Sequence, residues 1–237
     1  MDASGSIALV TGANRGIGKR FVEELLERGA AKVYATSRRP ETIDIDDPRV
    51  VKLHLDLLDD QSITDAAAAA GDVTLLVNNA GISTGTNLLG SDLADVRREL
   101  DTHFYGTLGV IRAFAPVLKA NGGGAIITIH SALSWFSFNG ANSYSVAKAA
   151  QWAMTNGVRL ELAGQGTLVQ GVHLGAADTD IMAKYEGPKI DPRLVPIAAL
   201  DGLAAGQIEV LVDDWSRLVK QALAADPVEF YGDQLSA

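Results

Sequence analysis

The chain has 237 residues, enough for one large domain and too few for two ordinary ones. Hydrophobic residues make up 47% and charged residues 21%, which allows a sizeable core and excludes disorder. A net charge of −9 argues against nucleic acid or an anionic membrane surface as partner, and the absence of cysteine removes disulfides, thiolate nucleophiles and Cys-ligated metals.

The first residues, Met1-Asp2-Ala3-Ser4-Gly5-Ser6, carry no basic region ahead of an apolar run, and no stretch nears a membrane span, so a cytoplasmic domain is expected. Short runs rich in β-branched residues recur at 7–10, 33–36, 50–55, 75–77, 125–129, 169–174 and 209–212. They are continuous rather than alternating, and so predict strands buried on both faces.

Helical spacing fills the intervals. Ile17, Phe21, Val22, Leu25 and Leu26 share one stripe that closes at Arg28-Gly29. Residues 61–70 are alanine-rich, and 92–119 read as one long helix with Pro116 near its end, followed by a break at Asn121-Gly122-Gly123-Gly124. Residues 143–163 and 213–225 are further helices, the last opened by Asp213-Asp214 at its positive dipole end.

Strands alternating with helices predict an α/β fold: a Rossmann-type, doubly wound parallel sheet of about seven strands with helices on both faces. A single domain over 1–237 is expected. Turn-forming residues cluster at 44–48 and again at 186–196. The second cluster follows a strand end, where such sheets place ligands, and predicts a variable substrate-covering loop around 183–200.

The first strand runs through Thr11-Gly12-Ala13-Asn14-Arg15-Gly16-Ile17-Gly18 into the first helix. Gly12 suits a tight turn, Gly16 lets backbone approach a pyrophosphate, and Gly18 permits close helix–strand packing above the free N–H groups of the helix start. Glycine also marks ordinary turns; the strand-to-helix placement favours the phosphate reading. The second strand ends in Thr36-Ser37-Arg38-Arg39, without the carboxylate that NAD-binding chains offer the ribose. Arg15 and Arg38 suit a 2′-phosphate, hence NADP(H), unless Arg38 and Arg39 are simply solvated loop residues.

Tyr144 and Lys148 stand four apart at a helix start, so their side chains share a face. A cation beside a phenol favours phenolate and makes tyrosine a usable acid or base near neutrality. Ser131, thirteen residues upstream and just past a strand, offers a hydroxyl to a carbonyl oxygen. His54, His130 and His173 read as satisfied core histidines, and no metal-ligand spacing occurs, so no metal is expected.

Together Thr11–Gly18, Asp56-Leu57, Asn78-Asn79-Ala80-Gly81, Ser131, Tyr144–Lys148 and Gly175 with Thr179 resemble the short-chain dehydrogenase/reductase family in order and spacing. The resemblance implies an NADPH-dependent oxidoreductase reducing a ketone or aldehyde to an alcohol. Tyr144 would donate the proton, Ser131 polarise the carbonyl, and Lys148 tune Tyr144 and hold the nicotinamide ribose. Gly12, Asn14, Arg15, Gly16, Ile17, Gly18 and Arg38 would meet the phosphates and adenosine ribose, and Asp56 and Leu57 the adenine. Asn79, Ala80 and Gly81 would line the cofactor, with Asn78 tying strands, while Ala177 and Thr179 would meet the nicotinamide half.

Two departures stand out. His103 occupies the position where the family commonly carries an asparagine of a proton relay, and it either sustains that relay or merely packs. Leu174-Gly175 replaces the usual Pro-Gly, so the backbone there is expected to be less constrained. In the family layout Trp135, Phe138, Met182 and Tyr185 would flank an apolar pocket, or pack the core or an interface. The long helices resemble those that pair subunits into homodimers or homotetramers. A sensor binding NADP(H) without turnover, and a non-redox enzyme on the same scaffold, are the alternatives.

Overall fold

The structure, a computed structural model, describes residues 1–235. Its sheet is parallel throughout and contains all seven predicted strands: β1 Ile7–Thr11, β2 Lys32–Ser37, β3 Val50–His54, β4 Leu75–Asn78, β5 Ala125–Ile129, β6 Leu168–His173 and β7 Glu209–Leu211. They lie in the order β3-β2-β1-β4-β5-β6-β7. The chain reverses its winding direction between β1 and β4, and a crevice opens there at the carboxyl ends of the strands.

One sheet face is covered by α1 (Gly16–Glu27) and α6 (Leu194–Ala204), the other by α2 (Asp60–Ala69), α4 (Thr107–Ala120) and α5 (Asn142–Leu162). Phe21, Leu25 and Leu200 anchor the first apolar layer, and Leu76, Phe114 and Leu118 the second, all at most 2% exposed. Burying such a side chain contributes about 1.5–3 kcal/mol, so the two layers carry most of the driving force. Further helices are α3 (Leu93–Leu100), α7 (Asp214–Ala222) and α8 (Pro227–Tyr231). No helix among the described residues is long and apolar enough to cross a membrane.

Four expectations need correction. Strand β3 is the sheet edge rather than a doubly buried strand, with Val51, Lys52 and His54 exposed. The long helix over 92–119 is interrupted: α3 passes through a π-helical turn at Asp101–Gly106 before α4. Gly106, at the end of that turn, lets the helix lie close on the Leu57 carbonyl oxygen, 2.6 Å from where a Cβ would stand. The loop expected to run to residue 200 ends earlier, since α6 starts at Leu194 despite Pro196. The segment is apolar on nearly every side and shows no stripe to read. The helix over 213–225 is likewise shorter, ending at Ala222.

Candidate active site

The glycine loop is shaped by close backbone approach. Gly12 and Gly16 take φ of +67° and +52°, a region that glycine enters without steric cost. A Cβ on Gly18 would overlap the Gly12 carbonyl oxygen, so the predicted close packing holds. Arg15 caps α1 without any side-chain hydrogen bond to its first turn, which contains no acidic residue. The helix N–H groups therefore stay available to an anion.

The end of β4 is tied to this loop. Thr11 Oγ1 accepts from the N–H groups of Asn79 and Ala80 at 2.9 and 3.0 Å, and Asn79 Nδ2 donates to the Thr11 carbonyl at 2.9 Å. Asn79 is thus the strand tie, and the tying role expected of Asn78 is corrected: its buried amide has no hydrogen-bond partner among the described residues. From the opposite side, the methyl of Thr179 lies 3.3 Å from where a Gly16 Cβ would stand, and Asp180 pairs with Arg15 at 3.1 Å.

Other predicted residues frame the crevice. Arg38 is exposed just past β2 and has no ion pair among the described residues. Asp56 Oδ1 accepts from the Leu58 N–H at 3.1 Å, and Leu57 is buried. Asn14 and Ile17 are half-buried, with Ile17 packed on the core below α1. Ala177 is buried and bridges to Ile190, closing the neck of the loop after β6.

Ser131, Tyr144, Lys148 and His103 converge at the far side. Lys148 Nζ lies 5.6 Å from the Tyr144 ring centroid, and the His103 ring meets Tyr144 edge-on at 5.2 Å. Burial pushes the Tyr144 phenol above its ordinary pKa, the Glu99 carboxylate adds to this, and the Ser131 hydroxyl pulls the other way. The expectation that Lys148 draws the phenol down is corrected for this state. Nζ donates instead to the Ile129 carbonyl at 2.8 Å and to Gln151 Oε1 at 2.9 Å, and burial pushes Lys148 down to about 7.

His103 sits in the π-helical turn, its Nε2 against the Ile82 carbonyl at 2.8 Å. Burial, then the charge of Lys148, pushes it down to about 3, so the ring is neutral and Nδ1 has no partner. It touches Tyr144 by its edge, without a hydrogen bond to Tyr144 or Lys148.

His130 and His173 are buried as expected, yet not satisfied. His173 Nδ1 faces the Ser131 carbonyl at 3.2 Å, while its Nε2 and both His130 nitrogens lack partners. Trp135 stacks on His173 at 3.8 Å with Lys220 Nζ 4.5 Å from its centroid, so the indole packs behind Ser131. Phe138 and Tyr185 are exposed and Met182 is half-buried on the loops after β5 and β6. The Leu174-Gly175 backbone is held rather than loose, because Asp213 Oδ2 accepts from the Gly175 N–H at 2.7 Å.

Sequence reasoning missed Thr11, Glu99, Ser143, Gln151 and Asp213 as parts of this framework. Thr11 opens the glycine-loop motif, and Ser143 stands immediately before the Tyr144–Lys148 motif. Glu99 follows Arg97-Arg98 and belongs to no motif. No group of three His, Cys, Asp or Glu side chains among the described residues is placed to hold a metal.

A glycine-lined crevice at the switch point of a doubly wound sheet, with a tyrosine and lysine across from it, is the architecture of a dinucleotide-binding fold. A family model described as short chain dehydrogenase matches residues 6–189, and the chain belongs to that family. The short chain dehydrogenase mpl6 of Monascus purpureus is 32% identical over 75% of this chain. The NADPH-dependent 1-acyldihydroxyacetone phosphate reductase of Schizosaccharomyces pombe is 31% identical over 76%. The matches span 66% and 62% of those two relatives, just under two thirds of their length. The crystal structure of a short chain dehydrogenase from Burkholderia cenocepacia in complex with NADP superposes over the whole of both chains, with TM-score 0.95 and 39% identity.

Proposed function

We propose that this chain reduces the carbonyl group of a small, largely apolar ketone or aldehyde, with NADPH as reductant. The cofactor assignment draws on the NADP held by the Burkholderia cenocepacia relative and on this chain's own loop. Gly12, Gly16 and the uncapped start of α1 fit a pyrophosphate; Arg15 and Arg38 fit a 2′-phosphate. Asn14, Ile17, Gly18, Asp56, Leu57, Asn79, Ala80, Gly81, Ala177 and Thr179 would complete the cofactor's surroundings. When bound, NADPH supplies the hydride.

The single observation that carries the reading is the approach of Lys148 Nζ to within 5.6 Å of the Tyr144 ring centroid. Tyr144 enters the reaction protonated, since its pKa is raised, which is the form a proton donor to a carbonyl oxygen needs. Ser131 donates to the same oxygen and gains strength as negative charge grows there. Lys148, in its protonated form below about 7, stabilises the negative charge left on the phenol as its proton leaves, an effect greatest in the buried setting both groups share. Met182, Phe138 and Tyr185 supply the apolar contact surface for substrate. His103 acts by packing against Tyr144 rather than by carrying protons. Pairing into homodimers or homotetramers along α4 and α5 belongs to the same proposal, supported by the exposed Val146 and Leu160.

The test is loss of NADPH absorbance against a panel of apolar ketones and aldehydes. Tyr144→Phe is expected to lower turnover by about 10²–10⁴ while NADPH binding stays near that of the parent chain. Full turnover in that variant, or tight NADPH binding with no carbonyl consumed across the panel, overturns the reading.

A further inference from the structure

Helix α3 has one fully buried side chain, and it is a carboxylate. Glu99 is 0% exposed, whereas Leu93 on the same helix is 58% exposed. Burying an ionisable group in place of an available leucine costs stability unless every lone pair is met. Here three donors meet the two oxygens. Glu99 Oε1 accepts from the Thr84 N–H at 2.6 Å and from Thr84 Oγ1 at 2.9 Å; Oε2 accepts from Ser143 Oγ at 2.6 Å. One backbone N–H and two hydroxyls point at its two oxygens.

The network reaches the proton donor through one peptide bond. Ser143, buried and next to Tyr144, also meets Thr86 Oγ1 at 2.7 Å, and its N–H donates to the Thr86 carbonyl at 3.2 Å. Asn87 Oδ1 accepts from the Gly140 N–H at 2.7 Å and from Asn142 Nδ2 at 2.9 Å, lacing the same loop to the start of α5. Glu99 is therefore the hub joining α3, the loop after β4 and the first turn of α5.

We propose that Glu99 is a positioning residue: it clamps Ser143, thereby fixes the Tyr144 side chain in the crevice, and sets a permanent negative charge behind the phenol. The proposal rests on the reading of Tyr144 as proton donor. The charge of Glu99 on α3 and the Ser131 hydroxyl after β5 act on the phenol, while His103 from the π-helical turn and Lys148 from α5 lie against its ring. His103 is neutral and Lys148 is turned toward Ile129, which leaves Glu99 as the acidic charge acting on the ring. A negative charge favours the protonated phenol. Glu99 thereby keeps the proton on Tyr144 until a carbonyl oxygen takes it.

Glu99→Gln is close to isosteric, and the network can re-form around it. The amide oxygen still accepts from Thr84, while the new N–H₂ donates to Ser143 Oγ, whose proton turns to Thr86. The probe is the fluorine NMR resonance of Tyr144 in chain labelled with fluorotyrosine, assigned by its loss in Tyr144→Phe. Expected is a fall of about one pH unit in the phenol midpoint in Glu99→Gln, a roughly tenfold gain in acidity. A midpoint unchanged in the folded variant overturns the charge effect.

Ser143→Ala keeps the carboxylate and its Thr84 contacts but cuts the link to α5. It is expected to lower kcat about tenfold with KM and NADPH affinity unchanged, and Ser143→Thr to restore it. Parent-like kcat in Ser143→Ala overturns the positioning role and also decides the matter should Glu99→Gln not fold. If the parent chain reduces no carbonyl, the proposed function falls, while the fluorine titration still tests Glu99 by itself.

Discussion

The ammonium nitrogen of Lys148 donates to the carbonyl oxygen of Ile129, the last residue of β5, and thereby links the central helix α5 to the end of the central sheet. That contact and the one to Gln151 leave the lysine buried with no carboxylate partner, and burial pushes it down to about 7 from an ordinary value of 10.5. A lysine depressed on folding stays neutral in the folded chain above about 7, while the unfolded chain keeps the proton up to 10.5. Unfolding then takes up a proton, so stability falls as pH drops from 10.5 toward 7, and levels off below. The contribution amounts to about 5 kcal/mol across that window. Lys148→Met should flatten the pH dependence of the urea midpoint between neutrality and pH 10. A slope equal to that of the parent chain would show that the lysine is hydrated in solution.

His103 occupies the space in front of Gly81. A Cβ on Gly81 would run into imidazole Cε1 and stand 3.1 Å from Nδ1, so the two positions accept one side chain between them. Gly81→Ala is expected to cost about 1–3 kcal/mol by overpacking. His103→Asn shortens the facing side chain, and the double variant should recover at least about 1 kcal/mol relative to the sum of the singles. Additive losses in chemical denaturation would mean that the loop moves aside instead.

Arg15 and Arg38 differ in what they already hold. Arg15 is paired with Asp180 at 3.1 Å, and both side chains are exposed, whereas Arg38 has no ion pair among the described residues. On the proposed cofactor, Arg38→Ala should weaken NADPH about tenfold or more and leave NADH nearly untouched, as loss of a charge-assisted bond to phosphate requires. Asp180→Asn frees Arg15 and should tighten NADPH by a few-fold, an exposed pair being worth about 0–1 kcal/mol. Calorimetric titration with both dinucleotides reads each effect, and equal losses for NADH and NADPH in Arg38→Ala would contradict the assignment.

The sheet was legible because each strand is a continuous apolar run, and only β3 misled, its Val-Val-Lys-Leu-His lying at an edge where one row of side chains meets solvent. Helix α1 announced itself by the spacing of Phe21, Val22 and Leu25. Helix α6 did not, because Val195, Ala199, Leu200 and Leu203 are buried around most of its circumference and Pro196 and Gly202 read as breakers. The π-helical turn at Asp101–Gly106 inserts one residue into an otherwise helical stretch, a change too small for periodicity to register. The Tyr144, Lys148 and Ser131 grouping followed from motif spacing. Glu99, Thr84 and Asp213 did not, since their roles depend on segments that only tertiary folding brings together.

Asp213 shows how one carboxylate replaces a missing proline. Its Oδ1 accepts from the Ser216 N–H at 2.7 Å, capping α7, and its Oδ2 accepts from the Gly175 N–H at 2.7 Å, immediately after β6. A Cβ on Gly175 would also stand 3.0 Å from the Trp215 ring, so that peptide is confined from two directions. Asp213→Ala removes the cap, about 1 kcal/mol, and leaves the Gly175 N–H unpaired, about 1–3 kcal/mol, for a total loss of about 2–4 kcal/mol. Asp213→Asn separates the two effects: one amide oxygen still caps α7, but the N–H₂ end cannot accept from Gly175. The asparagine variant should therefore keep most of the stability of α7 while hydrogen exchange at the Gly175 amide accelerates, and that loosening should spread to Ala177 and Thr179. Parent-like protection at Gly175 in both variants would mean that the close fit against Trp215, rather than the carboxylate, holds the backbone beside the crevice.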